Sequence, residues 1–387
     1  MTPRIPFNRP FVAGKELFYI AQAVTTGKLA GDGQFTKACA ELMEREFNIE
    51  KVLMTPSCTA ALEMAAMLCE LQPGDEVILP SYTFVSTANA VVRLGVRPAF
   101  IDVRPDTLNM NEALIEAAIT ERTKAILPVH YAGVSCEMDR IMEIAAKHKL
   151  LVIEDAAQGV NASYHGRALG SIGQLGCYSF HETKNYICGE GGALCINDKS
   201  LTDRAEIIRE KGTNRSRFFR GMVDKYTWVD VGSSYIPSEI SSAFLFAQLE
   251  LRDAIAQRRR DVYKFYQFHL QQLEQDGLVQ LPTIPEGCQT NYHMFYMLMP
   301  SQEMRSELIA HLKQQGIMAV FHYVPLHTAP VGQQYGYRQG DLPVTEDLSD
   351  RLVRLPFYHD LTEADQMEVV TQVNAFMKRS AQKRVAA

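Results

Sequence analysis

The 387-residue chain carries no surplus of positive charge. Its 39 lysines and arginines face 45 aspartates and glutamates, a net of −6. A nucleic-acid binder would show a basic excess, so no nucleic-acid partner is expected. It has no C-x-x-C pair; its eight cysteines stand at 39, 58, 69, 136, 177, 188, 195 and 288. Reduced, mostly buried thiols in a cytoplasmic protein are the economical reading. Met1–Phe7 shows no apolar signal-peptide core. No apolar run reaches the ~18 residues a membrane helix needs, so no membrane insertion is expected. Without secretion, the N-x-S triplets at Asn161 and Asn214 are not expected to be glycosylated. Repeats and low-complexity segments are missing. So are the G-x-G-x-x-G and G-x-x-x-x-G-K-[ST] patterns, which disfavours a dinucleotide site and a P-loop.

What is present is ordinary globular composition, 47% hydrophobic and 22% charged, able to bury a sizeable core. The length allows two or three domains at roughly 100–200 residues each. From about residue 50 to 200, short apolar runs alternate with helical patterns. Strands are expected at Lys51–Thr55, Glu76–Leu79, Ala99–Val103, Ala125–Val129, Leu151–Ile153, Gly176–Phe180 and Ala193–Ile196. Helices are expected near Thr59–Leu71, Val85–Leu94, Glu112–Ile119 and Met138–His148. This alternation indicates parallel βα units in a sheet covered on both faces. Ser238–Asp276 has no Pro or Gly and carries apolar residues at helical spacing, which predicts one long connecting helix. Strands at Asn291–Met299 and Ile317–His322, with helices at Arg305–Gln315 and Glu363–Met377, predict a smaller α+β region. The expected division is an arm or helix over 1–37, a large domain over 38–245, and the long helix with a small domain over 246–387.

In an open α/β sheet, ligands gather outside the carboxyl ends of the strands. After the first strand, Ser57, Cys58 and Thr59 open a helix whose free N–H groups suit an anion, although either hydroxyl is also a natural N-cap. After the second stands Phe84, an aromatic able to stack on a planar ring or to pack in a core. Glu154 and Asp155 end the fifth, where acids do not belong unless paired. Lys184 follows Ser179 just past an apolar strand, where a partly dry amine can lose its proton and form an imine. Together these provide an anion cup, a ring stacker, an acid for a pyridine nitrogen and an imine lysine. Pyridoxal 5′-phosphate needs that set.

SFHETKN with GEGG, EDAAQ, TPSCTA, PSYTFVSTAN, LPVHYAG and VFHYVPLH resemble the DegT/DnrJ/EryC1/StrS family of sugar aminotransferases over nearly the whole chain. The resemblance implies the aspartate-aminotransferase fold (fold type I), a large mixed, mostly parallel sheet with a smaller C-terminal domain. It also implies a homodimer or higher oligomer with shared sites, and amino transfer from L-glutamate to a dTDP-linked keto sugar. It makes Lys184 the Schiff-base lysine, Asp155 the partner of the ring nitrogen and Gln158 the neighbour of the ring hydroxyl. Phe84 falls on the stacking position; Cys58, Thr59 and Ser179, with Ser57 beside them, fall on the phosphate cup. Some relatives are dehydratases with histidine in place of the lysine, so Lys184 argues for transamination. One departure stands out. Many members place an asparagine, which reaches the partner subunit's phosphate, where this chain has Ile236.

Arg215 and Arg220 lie in a loop rich in arginine and phenylalanine, suited either to clamping a diphosphate or to facing solvent. His322 and His327 lie near a strand end, and the resemblance implies that this segment faces the sugar. They lack the H-E-x-x-H pattern and a third ligand, so no metal is expected. His181, three residues before Lys184, is expected to order the lysine or to pack. Cys58, Cys177 and Cys188 fall beside site segments and are better read as oxidation-sensitive neighbours than as a disulfide framework.

Overall fold

The computed structural model describes residues 3–386, with side chains up to residue 380. Two helices open the chain, α1 (Glu16–Thr25) and α2 (Gln34–Phe47). There follow β1 (Lys51–Thr55), α3 (Cys58–Leu68), β2 (Glu76–Pro80), α4 (Val85–Val92), β3 (Arg97–Ile101), α5 (Ile115–Ala118), β4 (Thr123–Ile126), α6 (Met138–His148) and β5 (Leu151–Asp155). A short hairpin, β6 (Ser163–Tyr164) and β7 (Arg167–Ala168), precedes β8 (Leu175–Ser179) and β9 (Gly192–Ile196). Helices α7 (Thr202–Arg209) and α8 (Arg215–Phe219) lead to α9 (Glu239–Glu250) and α10 (Arg252–Gln275). The C-terminal part holds β10 (Cys288–Gln289), β11 (Tyr296–Leu298), α11 (Gln302–Gln314), α12 (Pro330–Gln334), α13 (Pro343–Arg351), β12 (Leu352–Arg354) and α14 (Glu363–Ala386).

Seven strands form the main sheet in the order β1-β9-β8-β5-β4-β2-β3. The run β8-β5-β4-β2-β3 is parallel, and β9 is antiparallel to both β8 and β1. The carboxyl ends of β1, β2, β5 and β8 therefore emerge at one edge. The fold is the mixed, mostly parallel α/β architecture of fold type I.

Side chains alternate between the two faces of each strand. Val52, Met54, Ile78 and Val152 enter the core beneath α2 and α6. Leu53, Leu79 and Ile153 enter the opposite core, shared with α3 and α4. The same alternation sends Glu154 to the first face and Asp155 to the second. A third core gathers Val262, Tyr266 and Leu270 of α10 with β11, α11 and α14.

The expected long helix is two. Leu251 (φ −104°, ψ 16°) breaks it. The buried face of α9 serves the N-terminal helices, whereas α10 packs on α14, and one straight rod does not present both faces. Ile317–His322 was expected as a strand. Only Ile317 and Val320 make single bridges, to Ile5 and Arg354, because each finds a different partner. Likewise only Tyr296–Leu298 of the expected Asn291–Met299 is strand.

Candidate active site

Helix α3 begins directly above the sheet because Gly192 lacks a side chain. A Cβ there would lie 2.4 to 2.5 Å from the backbone of Ser57 and Cys58. Register puts Gly192 between Thr55 of β1 and Ser179 of β8. Ser57 caps the helix, its Oγ accepting from Ala60 N at 3.1 Å. The Thr59 hydroxyl donates to Ser86 Oγ at 2.9 Å. The amides of Cys58 and Thr59 have no acceptor among the described residues. Together with the Ser179 hydroxyl they form an anion cup at the positive end of a helix of 11 residues.

Asp155 ends β5 and is 5% exposed. Its Oδ2 accepts from Thr87 Oγ1 at 2.7 Å and its Oδ1 from Ala157 N at 3.1 Å. Thr87 is held in turn by Thr83, 2.7 Å between hydroxyls. No cation pairs with this carboxylate among the described residues. Burial raises its pKa above the ordinary 3.8, against the two hydrogen bonds and the charge of Lys184.

Lys184 projects from a loop closed at its base. Phe180 and Cys188 exchange with Gly191 and Phe180 (Phe180 N to Gly191 O and Cys188 N to Phe180 O, both 2.8 Å). Asn185 Nδ2 donates to Asn291 O at 2.7 Å, and its Oδ1 lies 2.8 Å from His293 Nδ1, which pins the loop to the C-terminal part. The Lys184 amine has no hydrogen bond or ion pair with a described residue. Burial lowers its pKa below 10.5, partly opposed by Asp155. A small cavity lined by Ala157, Gln158, Ser179, Lys184, Asn185 and His293 lies here.

The remaining expected residues divide. Gln158 joins the site: its Oε1 accepts from Ala132 N at 2.7 Å and its Nε2 donates to Tyr323 OH at 3.3 Å. Phe84 is 58% exposed at the head of α4, 6.3 Å from the Tyr323 ring. His322 Nδ1 lies 3.0 Å from Tyr131 OH, and burial pushes its pKa well below 6.5. His327 does not face a ligand. It is wholly buried, with Nδ1 2.7 Å from Ser81 Oγ and Nε2 2.9 Å from Glu346 Oε1, so both nitrogens are used. His181 turns onto its own loop, with Nδ1 2.9 Å from Thr183 Oγ1 and Nε2 3.6 Å from Glu190 Oε1. Arg215 pairs with Glu210 at 3.7 Å and Arg220 with Glu206 at 2.8 Å, so their charges are met by acids on or just past α7. Ile236 packs directly over Gly31. Cys58 and Cys177 are buried and Cys188 is half-buried; burial raises the first two thiols well above 9.0 and Cys188 to about 12, which disfavours the reactive thiolate at all three, and none is in a disulfide.

Thr87, Tyr131, Tyr323, Asn185 and His293 were not singled out in the sequence. Thr87 lies within PSYTFVSTAN, three residues beyond Phe84, one helical turn along α4, and that spacing was the available signal.

The sequence profile of the DegT/DnrJ/EryC1/StrS aminotransferase family matches residues 12–374. The chain belongs to this family. GDP-perosamine synthase of Caulobacter vibrioides is 33% identical over 380 residues, 96% of this chain and 98% of that one. Spore coat polysaccharide biosynthesis protein SpsC of Bacillus subtilis is 32% identical over 386 residues, 97% of each. The solved aminotransferase TlmJ of Streptoalloteichus hindustanus superposes with a TM-score of 0.89 at 28% identity, covering 97% of this chain and 99% of that one. As a member of the DegT/DnrJ/EryC1/StrS family, the chain is a pyridoxal-phosphate-dependent sugar aminotransferase.

The donor set fits that cofactor. An enclosed carboxylate without a cation wants a positive charge, a helix start with unmet amides wants an anion, and an unpaired lysine of lowered basicity suits an electrophile. Pyridoxal phosphate supplies all three, as a cationic ring nitrogen, a phosphate and an aldehyde. No group of three or more His, Cys, Asp or Glu side chains among the described residues is placed to hold a metal. No described helix is long and apolar enough to cross a membrane.

Proposed function

We propose that the chain moves the amino group of L-glutamate to C4 of a dTDP-4-keto-6-deoxyhexose. The products are dTDP-4-amino-4,6-dideoxy-D-galactose and 2-oxoglutarate, and the amino sugar serves cell-surface polysaccharide, specifically enterobacterial common antigen. The observation that carries the chemistry is the pair Asp155 and Lys184, both without a charge partner, at neighbouring strand ends. The names of two relatives, a perosamine synthase and a spore coat polysaccharide protein, support a sugar destined for a cell surface. The runs EKGTNRSRFFRG and VDKYTW, which resemble those of dTDP-4-amino-4,6-dideoxygalactose transaminase, support the particular sugar.

When bound, pyridoxal phosphate draws electrons from the carbon that bears the amine. Asp155 would hold the ring nitrogen, the Cys58 and Thr59 amides with Ser179 the phosphate, Phe84 a ring face and Gln158 the ring hydroxyl. Lys184 would anchor the cofactor. Its lowered basicity lets Nζ give up a proton more readily than a solvated lysine amine does. The two hydrogen bonds on Asp155 fix its orientation while burial excludes water that would screen its charge.

The acting form is proposed to be a homodimer with shared sites. Large apolar side chains left exposed on α1 and at or beyond the end of α8, among them Leu17, Phe18, Phe219, Met222 and Trp228, support this.

The test is a glutamate-dependent assay over 3- and 4-keto nucleotide sugars, with product stereochemistry read by NMR. Amine at C4 in the galacto configuration, with one 2-oxoglutarate per amino sugar, is expected. Amination at C3, a gluco product or turnover without 2-oxoglutarate defeats the reading.

A further inference from the structure

Among the described residues, His130, His293 and His327 are buried. His130 and His327 have both ring nitrogens in use. His293 has one. Its Nδ1 lies 2.8 Å from Asn185 Oδ1, and its Nε2 meets no partner among the described residues.

A chain of fixed polarity sets the tautomer. The Asn291 carbonyl can only accept, so Asn185 turns its Nδ2 to it, at 2.7 Å. That leaves Asn185 Oδ1 facing His293, and an amide oxygen can only accept as well. Nδ1 therefore carries the proton of the neutral ring, and Nε2 keeps a lone pair. The ring stays neutral. Burial first, then the charges of Lys184, Arg259 and Arg354 and the nearby His322, hold its pKa well below 6.5. Its hydrogen-bond partner Asn185 is uncharged and does not oppose them.

His293 and Lys184 both line the small cavity at the base of the site, with Ser179 and Gln158. The cavity offers about 10 Å³ to the centre of a water, room for a single one. The two side chains make no direct hydrogen bond with each other, and His293 Nε2 is the free polar atom of its ring. A neutral amine has two N–H donors and one lone pair. Moving a proton to or from carbon needs that lone pair at the reacting carbon. An acceptor on the cavity side takes an N–H and leaves the lone pair free. A donor in the same place would consume it.

We propose that His293 Nε2, through one water in this cavity, accepts from the Lys184 amine and keeps its lone pair turned toward the reacting carbon. His293 is then a positioning residue, and Asn185 decides which of its nitrogens is the acceptor. The inference concerns the lysine alone and holds whichever keto sugar takes the amine.

The experiment compares the wild type with H293N and H293Q. Asparagine keeps a donor near Nδ1 for Asn185 and has nothing at Nε2; glutamine carries an amide oxygen toward Nε2. Each enzyme is loaded with pyridoxamine phosphate, which leaves Lys184 free, and the pH dependence of Lys184 acylation is read by peptide mass. In the pyridoxal phosphate form, the half-reaction with L-glutamate and with its α-deuterated form is followed by absorbance. H293N is expected to titrate Lys184 at a lower pH, because an acceptor favours the ammonium. It should slow the half-reaction about 3- to 10-fold at unchanged donor affinity, and enlarge the deuterium isotope effect. H293Q should recover most of each loss. Wild-type titration and rate in H293N overturn the inference. So do H293N and H293Q impaired alike with an unchanged isotope effect, the mark of a structural histidine. A neutron structure of the wild type with pyridoxamine phosphate needs no variant. Deuterium on Nδ1 and a water between Nε2 and Lys184 are expected, and deuterium on Nε2 overturns the inference. A wild type that ignores L-glutamate overturns the choice of donor, and the Lys184 titration and neutron structure, which use no donor, still decide the role of His293.

Discussion

Glu154 and Asp155 are consecutive, equally enclosed, and live in opposite surroundings. On its face of the sheet Glu154 accepts from Gly170 N, Ile172 N and Gly173 N at 2.7 to 2.8 Å. It also lies 2.9 Å from His130 Nε2. His130 Nδ1 accepts from Cys136 N at 3.2 Å, so Nε2 carries the proton and donates to Glu154. Four donors close that network. Asp155, on the other face, has two donors and no cation. A buried acid with every lone pair satisfied holds a fold together. One left short, beside an unpaired lysine, is a place where the fold waits for a ligand.

The largest effect falls on the open face. Lys184→Ala is expected to cut turnover about 10⁴-fold or more, the upper range for a positioned proton-transfer group. Borohydride followed by peptide mass analysis should fix the cofactor on Lys184 in the wild type and nowhere in the variant. A variant with ordinary turnover would remove Lys184 from the chemistry and with it the contrast between the faces.

Asp155→Asn keeps the shape and removes the charge. Turnover should fall about 10²- to 10³-fold, the range for losing one preorganised electrostatic contact. Stability of the cofactor-free chain should move the other way. The folded chain holds the Asp155 proton more tightly than the unfolded one, since burial raises its pKa above 3.8. This group's contribution to stability is thus full below 3.8 and is lost as pH rises through the folded value. Lys184 has the opposite sign: its contribution is full above 10.5 and is lost as pH falls through its lowered folded value. Melting curves of the cofactor-free protein should therefore show a loss of stability as pH rises above 3.8 in the wild type that is missing in Asp155→Asn. Identical curves would count Asp155 with the closed network.

Glu154→Ala tests the closed face. It strands three backbone amides and His130, and the expected cost is about 3 to 5 kcal/mol of unfolding free energy, the range for breaking a buried charged network. The cofactor spectrum of the surviving folded fraction should be unchanged, and a shifted spectrum would mean the two faces are not separate.

Much of this was legible beforehand, for a physical reason. The strands of the main sheet are apolar on both faces, so each reads as a short run: Lys51–Thr55 and Met138–His148 coincide with β1 and α6. Ligand groups follow strand ends, so Asp155 and Lys184 could be named from position and type. What stayed hidden depends on tertiary partners. Leu251 is an unremarkable helix residue until two cores pull α9 and α10 apart. His327 reads like His322, yet Ser81 and Glu346, distant in sequence, consume both its nitrogens.

The smallest expected effect is the most discriminating, because it touches Asp155 without altering its charge. Thr87→Val preserves shape and helix position and removes one of the two hydrogen bonds on the carboxylate, 2.7 Å long. A hydrogen bond to a charged group contributes about 1.5 to 3 kcal/mol, part of which a cationic ring nitrogen would replace. Turnover should fall roughly tenfold or less. In the cofactor-free chain the loss acts on Asp155 directly: with one fewer bond favouring the ionised form, its pKa rises further, and the pH at which its contribution is lost moves up. The bound cofactor should cancel most of that shift. A Thr87→Val enzyme whose pH–stability curve moves equally with and without cofactor would mean that the carboxylate never meets the ring nitrogen, and the open face would lose its assigned occupant while the closed one stood unchanged.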